Sequence, residues 1–154
     1  MLYFGRSPWM LQAVFALRQA VFVEEQHIPI EWEFDEKDQT CPYFLWLDGR
    51  IPIATIRYQF SSPNTLQPDR FCVAKAYRHQ GYGTKLLHYL EMRGVQEGAL
   101  QSVLSAEIDA CAFYESCGYQ KTSEPYAEDG VLCVEMTKQL KTAVKEENYS
   151  SLTA

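Results

Sequence analysis

Apolar residues recur at two different spacings along this chain, and the change from one to the other marks out its elements. Met10, Val14, Leu17 and Val21 return every three or four positions, the period of a helix with one buried face. Ser7 and Pro8 stand where such a helix takes its N-cap and first-turn proline, so a helix is predicted from there to about residue 20. Residues 24–38 are acidic and interrupted by Pro29, which predicts a loop with one short helical turn. Residues 43–47 and 51–60 are rich in aromatic and β-branched side chains and flank Asp48-Gly49. They predict a hairpin that uses the positive φ of Asp-Gly in its turn. Ser61, Ser62, Pro63 and Asn64 mark a loop, and residues 70–74 a short strand. Leu86, Leu87, Leu90 and Val95 then give a helical face that ends near Gly94 or Gly98. Residues 102–107 predict a strand. Asp109 is placed to cap a helix running to about Ser116, with Gly118 as its stop. Residues 119–123 and 131–137 predict two last strands, joined across Asp129-Gly130. This order implies a mixed α/β sheet with helices on both faces and disfavours a regular dinucleotide-binding alternation.

Length and charge narrow the picture. A chain of 154 residues fits one domain, expected over residues 1–140, with 141–154 as a polar C-terminal tail. No apolar run is long enough to span a membrane, and residues 1–6 lack the pattern of a signal peptide, so a cytoplasmic location is expected. The net charge of −6 excludes a general grip on nucleic-acid phosphates. That charge is concentrated: Glu24, Glu25, Glu31, Glu33, Asp35, Glu36 and Asp38 face only Lys37 within the same stretch. The alternatives are a solvated loop or an acidic surface that attracts a cationic ligand. The five cysteines show no metal spacing and read as reduced, packed thiols. His27, His79 and His88 are too dispersed for a metal site, and none is expected.

The informative chemistry lies in residues 70–89. Arg78, Gly81 and Gly83 make an R-x-x-G-x-G pattern at a helix start. Glycines let the backbone turn tightly and approach a ligand closely, and the first-turn amides of a helix converge on one spot. The helix dipole favours an anion there, and Lys75, Arg78, His79 and Lys85 add basic side chains. Pyrophosphate is the natural guest. A Walker A loop is absent, and the G-x-G-x-x-G fingerprint lacks its third glycine.

Val73-Ala-Lys-Ala-Tyr-Arg-His-Gln-Gly-Tyr-Gly-Thr-Lys-Leu-Leu87 resembles the acetyl-CoA-binding signature of the GNAT superfamily of N-acetyltransferases. Ala110-Cys-Ala-Phe-Tyr-Glu-Ser-Cys-Gly-Tyr119 is similar to that superfamily's second block. Arg18 to Gln26, Glu33 to Asp38 and Tyr126 to Gly130 resemble its ElaA- and YjcF-like branch. The resemblance implies a GNAT-like mixed, mostly antiparallel sheet with two splayed parallel strands, here 70–74 and 102–107, and helices on both faces. It implies acetyl-CoA as co-substrate. The main chain of Cys72 and Val73 would meet the pantetheine arm, and Arg78, His79, Gln80, Gly81, Tyr82, Gly83 and Thr84 would hold the pyrophosphate.

The resemblance also implies direct acetyl transfer to an amine, with Tyr114 as the acid that protonates the leaving thiolate. A phenol (pKa about 10) suits a thiol (about 8.5) for that exchange. Glu107 and Glu25 are the candidate bases. Cys72 lies near the expected thioester but is discounted as a nucleophile, because the superfamily transfers directly. For the acceptor, Glu33, Asp35 and Trp32 are the candidate contacts, and a cationic small-molecule amine or a lysine-bearing acceptor is expected. The branch's pattern after Glu25-Gln26 is replaced here by Ile30 to Asp35, so acceptor choice cannot be carried over. A competing reading is a non-catalytic acyl-CoA sensor or interaction module. A homodimer through the last strands or the tail is left open.

Overall fold

The computed structural model describes residues 1–140; the tail expected over 141–154 lies outside the described residues. The chain runs β1 (Leu2–Gly5), α1 (Pro8–Arg18), a π-helical turn (Gln19–Glu25), α2 (Ile30–Glu33), a 3-10 turn (Glu36–Gln39), β2 (Tyr43–Asp48), β3 (Ile51–Ser62), β4 (Thr65–Val73), a 3-10 turn (Lys75–Tyr77) and α3 (Tyr82–Gln96). It continues through β5 (Gln101–Glu107), a 3-10 turn (Ile108–Ala110), α4 (Cys111–Ser116), β6 (Gln120–Lys121), β7 (Tyr126–Glu128) and β8 (Val131–Gln139). The fold is mixed α/β, with a mostly antiparallel sheet that contains one parallel pair.

Two compact units make up the described residues: Met1–Gln59 with Arg70–Leu90, and Phe60–Asp69 with the described residues from Glu91. In the first, β1 pairs with β2 and β2 with β3, all antiparallel. The periodic face of α1 supplies its core, as Met10 and Val14 pack with Tyr43 and Leu45. Leu17 and Val21 form a second cluster with Cys72. In the second unit β4 and β5 are parallel, with a short register of Thr65↔Gln101 and Leu66↔Ser102. There β5, β6 and β7 all pair antiparallel with β8.

Several expectations shift by a few residues. Leu2–Gly5 is a strand that was not foreseen, since four residues are too few to display a period. Helix α1 does not end near residue 20 but opens into the π-helical turn, in which the Gln26 N–H donates to the Val21 carbonyl at 3.0 Å. Asp48 pairs with Ile51, so the hairpin turn is Gly49-Arg50 rather than Asp48-Gly49. Strand β4 begins at Thr65, well before the predicted residue 70. Asp109 lies inside a 3-10 turn, and the helix proper starts at Cys111. The strand that enters Asp129-Gly130 is β7, which pairs Glu128 with Val131.

Candidate active site

In the first unit, β4 ends at Val73 and α3 starts at Tyr82. Between them His79 and Gly81 take positive φ, 63° and 88°. Glycine adopts such a φ without penalty, which suits a sharp entry into a helix. The first α3 turn closes with Lys85 N–H on the Gly81 carbonyl at 3.2 Å. The amides of Tyr82, Gly83 and Thr84 therefore precede any intrahelical partner and point out of the helix end. Lys75, His79, Gln80, Gly81, Thr84 and Lys85 are exposed, so an anion reaching this loop meets backbone donors and basic side chains together.

Arg78 is held by the protein itself. Its Nε donates to the Val73 carbonyl at 2.9 Å, and its two terminal nitrogens donate to Glu25 Oε2 and Oε1 at 2.6 and 2.8 Å. Glu25, a candidate base, is thus engaged by a cation, and the hydrogen bond from Arg78 holds its carboxyl below the ordinary range. Cys72 is buried against Leu17 and Val21, and burial pushes its thiol well up. A neutral thiol is a poor nucleophile.

Of the acids in 24–38, Glu33, Asp35 and Asp38 belong to a network with Arg18, Arg57 and Arg70. Arg18 is fully buried. Its Nε lies 3.0 Å from Glu33 Oε1, and one terminal nitrogen lies 2.5 Å from Asp38 Oδ1. Arg57 reaches Asp35 at 2.7 Å and Asp38 at 2.8 Å. Arg70 reaches Glu33 at 3.4 Å and Asp35 at 3.3 Å. The Tyr43 hydroxyl also donates to Asp38. Burial alone would raise Asp38, yet the hydrogen bonds from Arg18 and Tyr43 hold it far below the ordinary carboxylate range. Asp35 is lowered by its hydrogen bond from Arg57. Glu33 goes the other way: burial pushes it up against the pull of Arg18 and Arg70. Trp32 is exposed, and its carbonyl accepts from Arg70 at 3.4 Å.

In the second unit, Tyr114 sits on α4, with its ring edge-on to Phe113 and Tyr119 at 5.2 and 5.8 Å. Tyr119 is fixed in turn: its hydroxyl lies 2.8 Å from both Glu91 Oε2 and Ser102 Oγ, and Lys138 donates to Glu91 Oε1 at 2.8 Å. Burial pushes the Tyr114 phenol up, with nearby Cys117 and Glu107 adding to the effect. It therefore stays protonated at neutral pH. Strand periodicity puts Ser105 and Glu107 on one face of β5, and both are exposed. Ser105 Oγ lies 2.5 Å from the Tyr126 hydroxyl and donates to Glu128 Oε2 at 2.8 Å. Among the described residues neither Glu107 nor Glu128 has an ion-pair partner.

The structure brings Glu25, Val73 and Arg78 into one hydrogen-bonded group, and Glu33 and Asp35 into another. Sequence reasoning missed the partners: Arg18, Arg57, Arg70, and the Ser105–Glu128 contact. One of them left a signal. Arg18 lies four residues after Val14, on the stripe predicted to be buried, and a buried arginine requires carboxylates. The others are joined only through the tertiary fold. No helix among the described residues is long and apolar enough to cross a membrane, and among them no group of His, Cys, Asp and Glu could hold a metal ion.

Residues 11–119 match the family model described as the acetyltransferase (GNAT) family. A Lactobacillus plantarum protein of known structure, classed by name as an N-acetyltransferase, is 42% identical, with a TM-score of 0.87 over 91% of this chain and 97% of that one. The Bacillus subtilis (strain 168) N-acetyltransferase YjcF is 31% identical over 135 residues, 87% of this chain and 96% of the relative. Escherichia coli ElaA is 26% identical, with a TM-score of 0.80 over 90% of this chain and 99% of its own.

Proposed function

This chain belongs to the acetyltransferase (GNAT) family, and from that premise we propose that residues 1–140 act as one catalytic domain that moves an acetyl group directly from acetyl-CoA to a primary amine. Family membership makes it an acetyl-CoA-dependent N-acetyltransferase; the site assignments and the acceptor are our reading. The observation that carries them is the loop before α3, where positive φ at His79 and Gly81 turns the chain so that the Tyr82, Gly83 and Thr84 amides face outward. The amides of residues 79–84 hold the pyrophosphate, and the main chain of Cys72 and Val73 meets the pantetheine arm.

The acceptor amine attacks the thioester carbonyl carbon. The C–N bond forms, the C–S bond breaks, and the departing sulfur takes a proton from the Tyr114 phenol. A phenol held above its ordinary value is a hydrogen-bond donor at neutral pH but a weaker acid than free tyrosine, so it supports the developing thiolate and passes its proton only as the C–S bond breaks. A primary amine is mostly ammonium at neutral pH; one proton must leave before attack, and the second leaves the nitrogen after the C–N bond forms and restores the Tyr114 phenol through solvent. Glu107, exposed and without an ion pair among the described residues, suits the first of these tasks better than Glu25, which Arg78 already engages. The acceptor is a cationic amine. Trp32 contacts it, whereas Glu33 and Asp35 shape the segment that carries Trp32 through their bonds to Arg70.

Thermal unfolding with acetyl-CoA, free CoA, ATP and NADH tests the cofactor part. At about 100 times Kd a ligand adds roughly 2.7 kcal/mol, which for a chain of this size raises the midpoint by several degrees. A shift with the two CoA forms alone is expected. An amine panel with thiol detection then tests transfer. Intact acetyl-CoA binding without turnover on any amine would sink the acceptor reading.

A further inference from the structure

We propose that the Glu25–Arg78 pair is a positioning clamp for the acetyl-CoA loop, and that the motif arginine serves the cofactor through this clamp rather than by gripping phosphate. The inference rests on the reading of residues 78–84 as the pyrophosphate loop.

Three nitrogens of one guanidinium are engaged by the protein. Nε closes on the Val73 carbonyl at 2.9 Å, and the terminal nitrogens make a two-pronged contact with Glu25 at 2.6 and 2.8 Å. A planar arginine fork held at both prongs and at Nε loses most of its freedom to turn toward another anion. The three anchors come from different places in the chain. Val73 is the last residue of β4, Arg78 opens the loop, and Glu25 ends the π-helical turn. The wider turn of that segment sets Glu25 at its C-terminal end, where the chain then leaves the helix through His27 at φ 61°. One side chain therefore ties the end of the strand, the start of the loop and the end of a helix together. The binding amides follow Arg78 within six residues, so their aim depends on where Arg78 holds the backbone. With Arg78 occupied, the exposed basic side chains left for phosphate are Lys75, His79 and Lys85.

A clamp and a base predict different losses. Glu25→Gln keeps the shape and removes the charge. Titration calorimetry with free CoA and with acetyl-CoA is expected to show Kd weakened about fivefold or more for both ligands, by the order of one paired charge. The unliganded thermal midpoint should stay within about 2 °C, because both side chains are part-exposed. Arg78→Lys keeps the charge but loses the fork and should weaken CoA by a similar factor. Glu25→Asp should recover part of the loss. With any amine that is turned over, KM for acetyl-CoA should rise while kcat and its pH profile stay close to the parent's.

Unchanged Kd in both Glu25→Gln and Arg78→Lys would overturn the clamp. So would a collapse of kcat at unchanged Kd, which would return Glu25 to the role of base. Failure of the parent protein to bind CoA at all would instead remove the loop reading on which the clamp depends.

Discussion

The acidic stretch of the first unit and the β5–β7 edge of the second handle carboxylates in opposite ways, although elsewhere in the second unit Glu91 is buried and paired with Lys138. In the first, the segment with the highest density of acids in the chain has four of its seven engaged by arginines: Glu25 by Arg78, and Glu33, Asp35 and Asp38 by Arg18, Arg57 and Arg70. In the second, Glu107 and Glu128 stand exposed on unremarkable strands, bonded to no cation among the described residues. Charge counted along a sequence therefore misjudges where free charge is. A run of acids attracts a cation only if the fold has not already supplied one, and buried arginines supply it here. The contrast shifts the search for the group that deprotonates the amine from residues 24–38 to the face of β5.

The largest expected effect comes from breaking the closed network. Arg18→Met leaves Glu33 and Asp38 buried without their central cation, an arrangement that costs about 3–5 kcal/mol. Urea unfolding at neutral pH should show that loss as a lower midpoint with an unchanged slope. A loss below about 1 kcal/mol would mean that Arg57 and Arg70 suffice to hold the carboxylates and that the network is looser than its distances indicate.

Next in size is the rate effect of Tyr114→Phe. Removing a general acid typically lowers turnover by about a hundredfold or more. CoA binding should be retained, because the hydroxyl and not the ring is removed. Equal turnover in the parent and the variant would move the proton donor elsewhere, to solvent or to a group on the amine side.

How far these assignments could be read in advance differs between residues. The α1 stripe, the hairpin through Gly49, the loop-to-helix entry at Gly81 and the strand at 102–107 were legible, because each rests on local periodicity or local backbone demand. The two motif blocks pointed to the family for the same reason, since each is contiguous. The π-helical turn was not legible: it needs a shift from i−4 to i−5 bonding, which no composition marks. Nor was the fate of Glu25, whose partner lies 53 residues away. A carboxylate in a sequence is a candidate base until its cation is found, and cations are found by tertiary contact.

Acid titration sharpens the contrast within the first unit. Asp35 and Asp38 have lower pKa values folded than unfolded. The stability they contribute is thus fully present above the unfolded aspartate value near about 3.9, and it is lost as pH falls through their folded values. Glu33 is raised, so its contribution runs the other way. It favours the fold below the unfolded glutamate value near about 4.3 and is lost as pH rises through its folded value. The urea midpoint should therefore fall once pH drops below about 4 and go on falling toward the folded values of Asp35 and Asp38. The contribution of Glu33 changes only above about 4.3, so Glu33→Gln should remove the gain in stability on acidification there and leave the fall below about pH 4 in place. A flat profile in the parent would mean that the pairs of Asp35 and Asp38 survive in the unfolded chain or are weak in the folded one.

The smallest effect is expected at the open edge of the second unit, and its smallness is the point. Glu128 is exposed, and its carboxylate accepts from the Ser105 hydroxyl at 2.8 Å. Glu128→Gln keeps an acceptor oxygen for that hydroxyl and removes a charge that has no ion-pair partner among the described residues. Its cost should lie within about 0.5 kcal/mol, as for surface changes generally. Glu128→Gln combined with Tyr126→Phe asks whether the three groups act as a unit, because Tyr126 meets the same Ser105 oxygen at 2.5 Å. Additive losses would leave the edge as a set of independent polar side chains, open to an incoming ammonium group. A coupling energy above about 1 kcal/mol would show that this edge is a closed network like the one around Arg18, and the acidic stretch and this edge would then differ in burial rather than in kind.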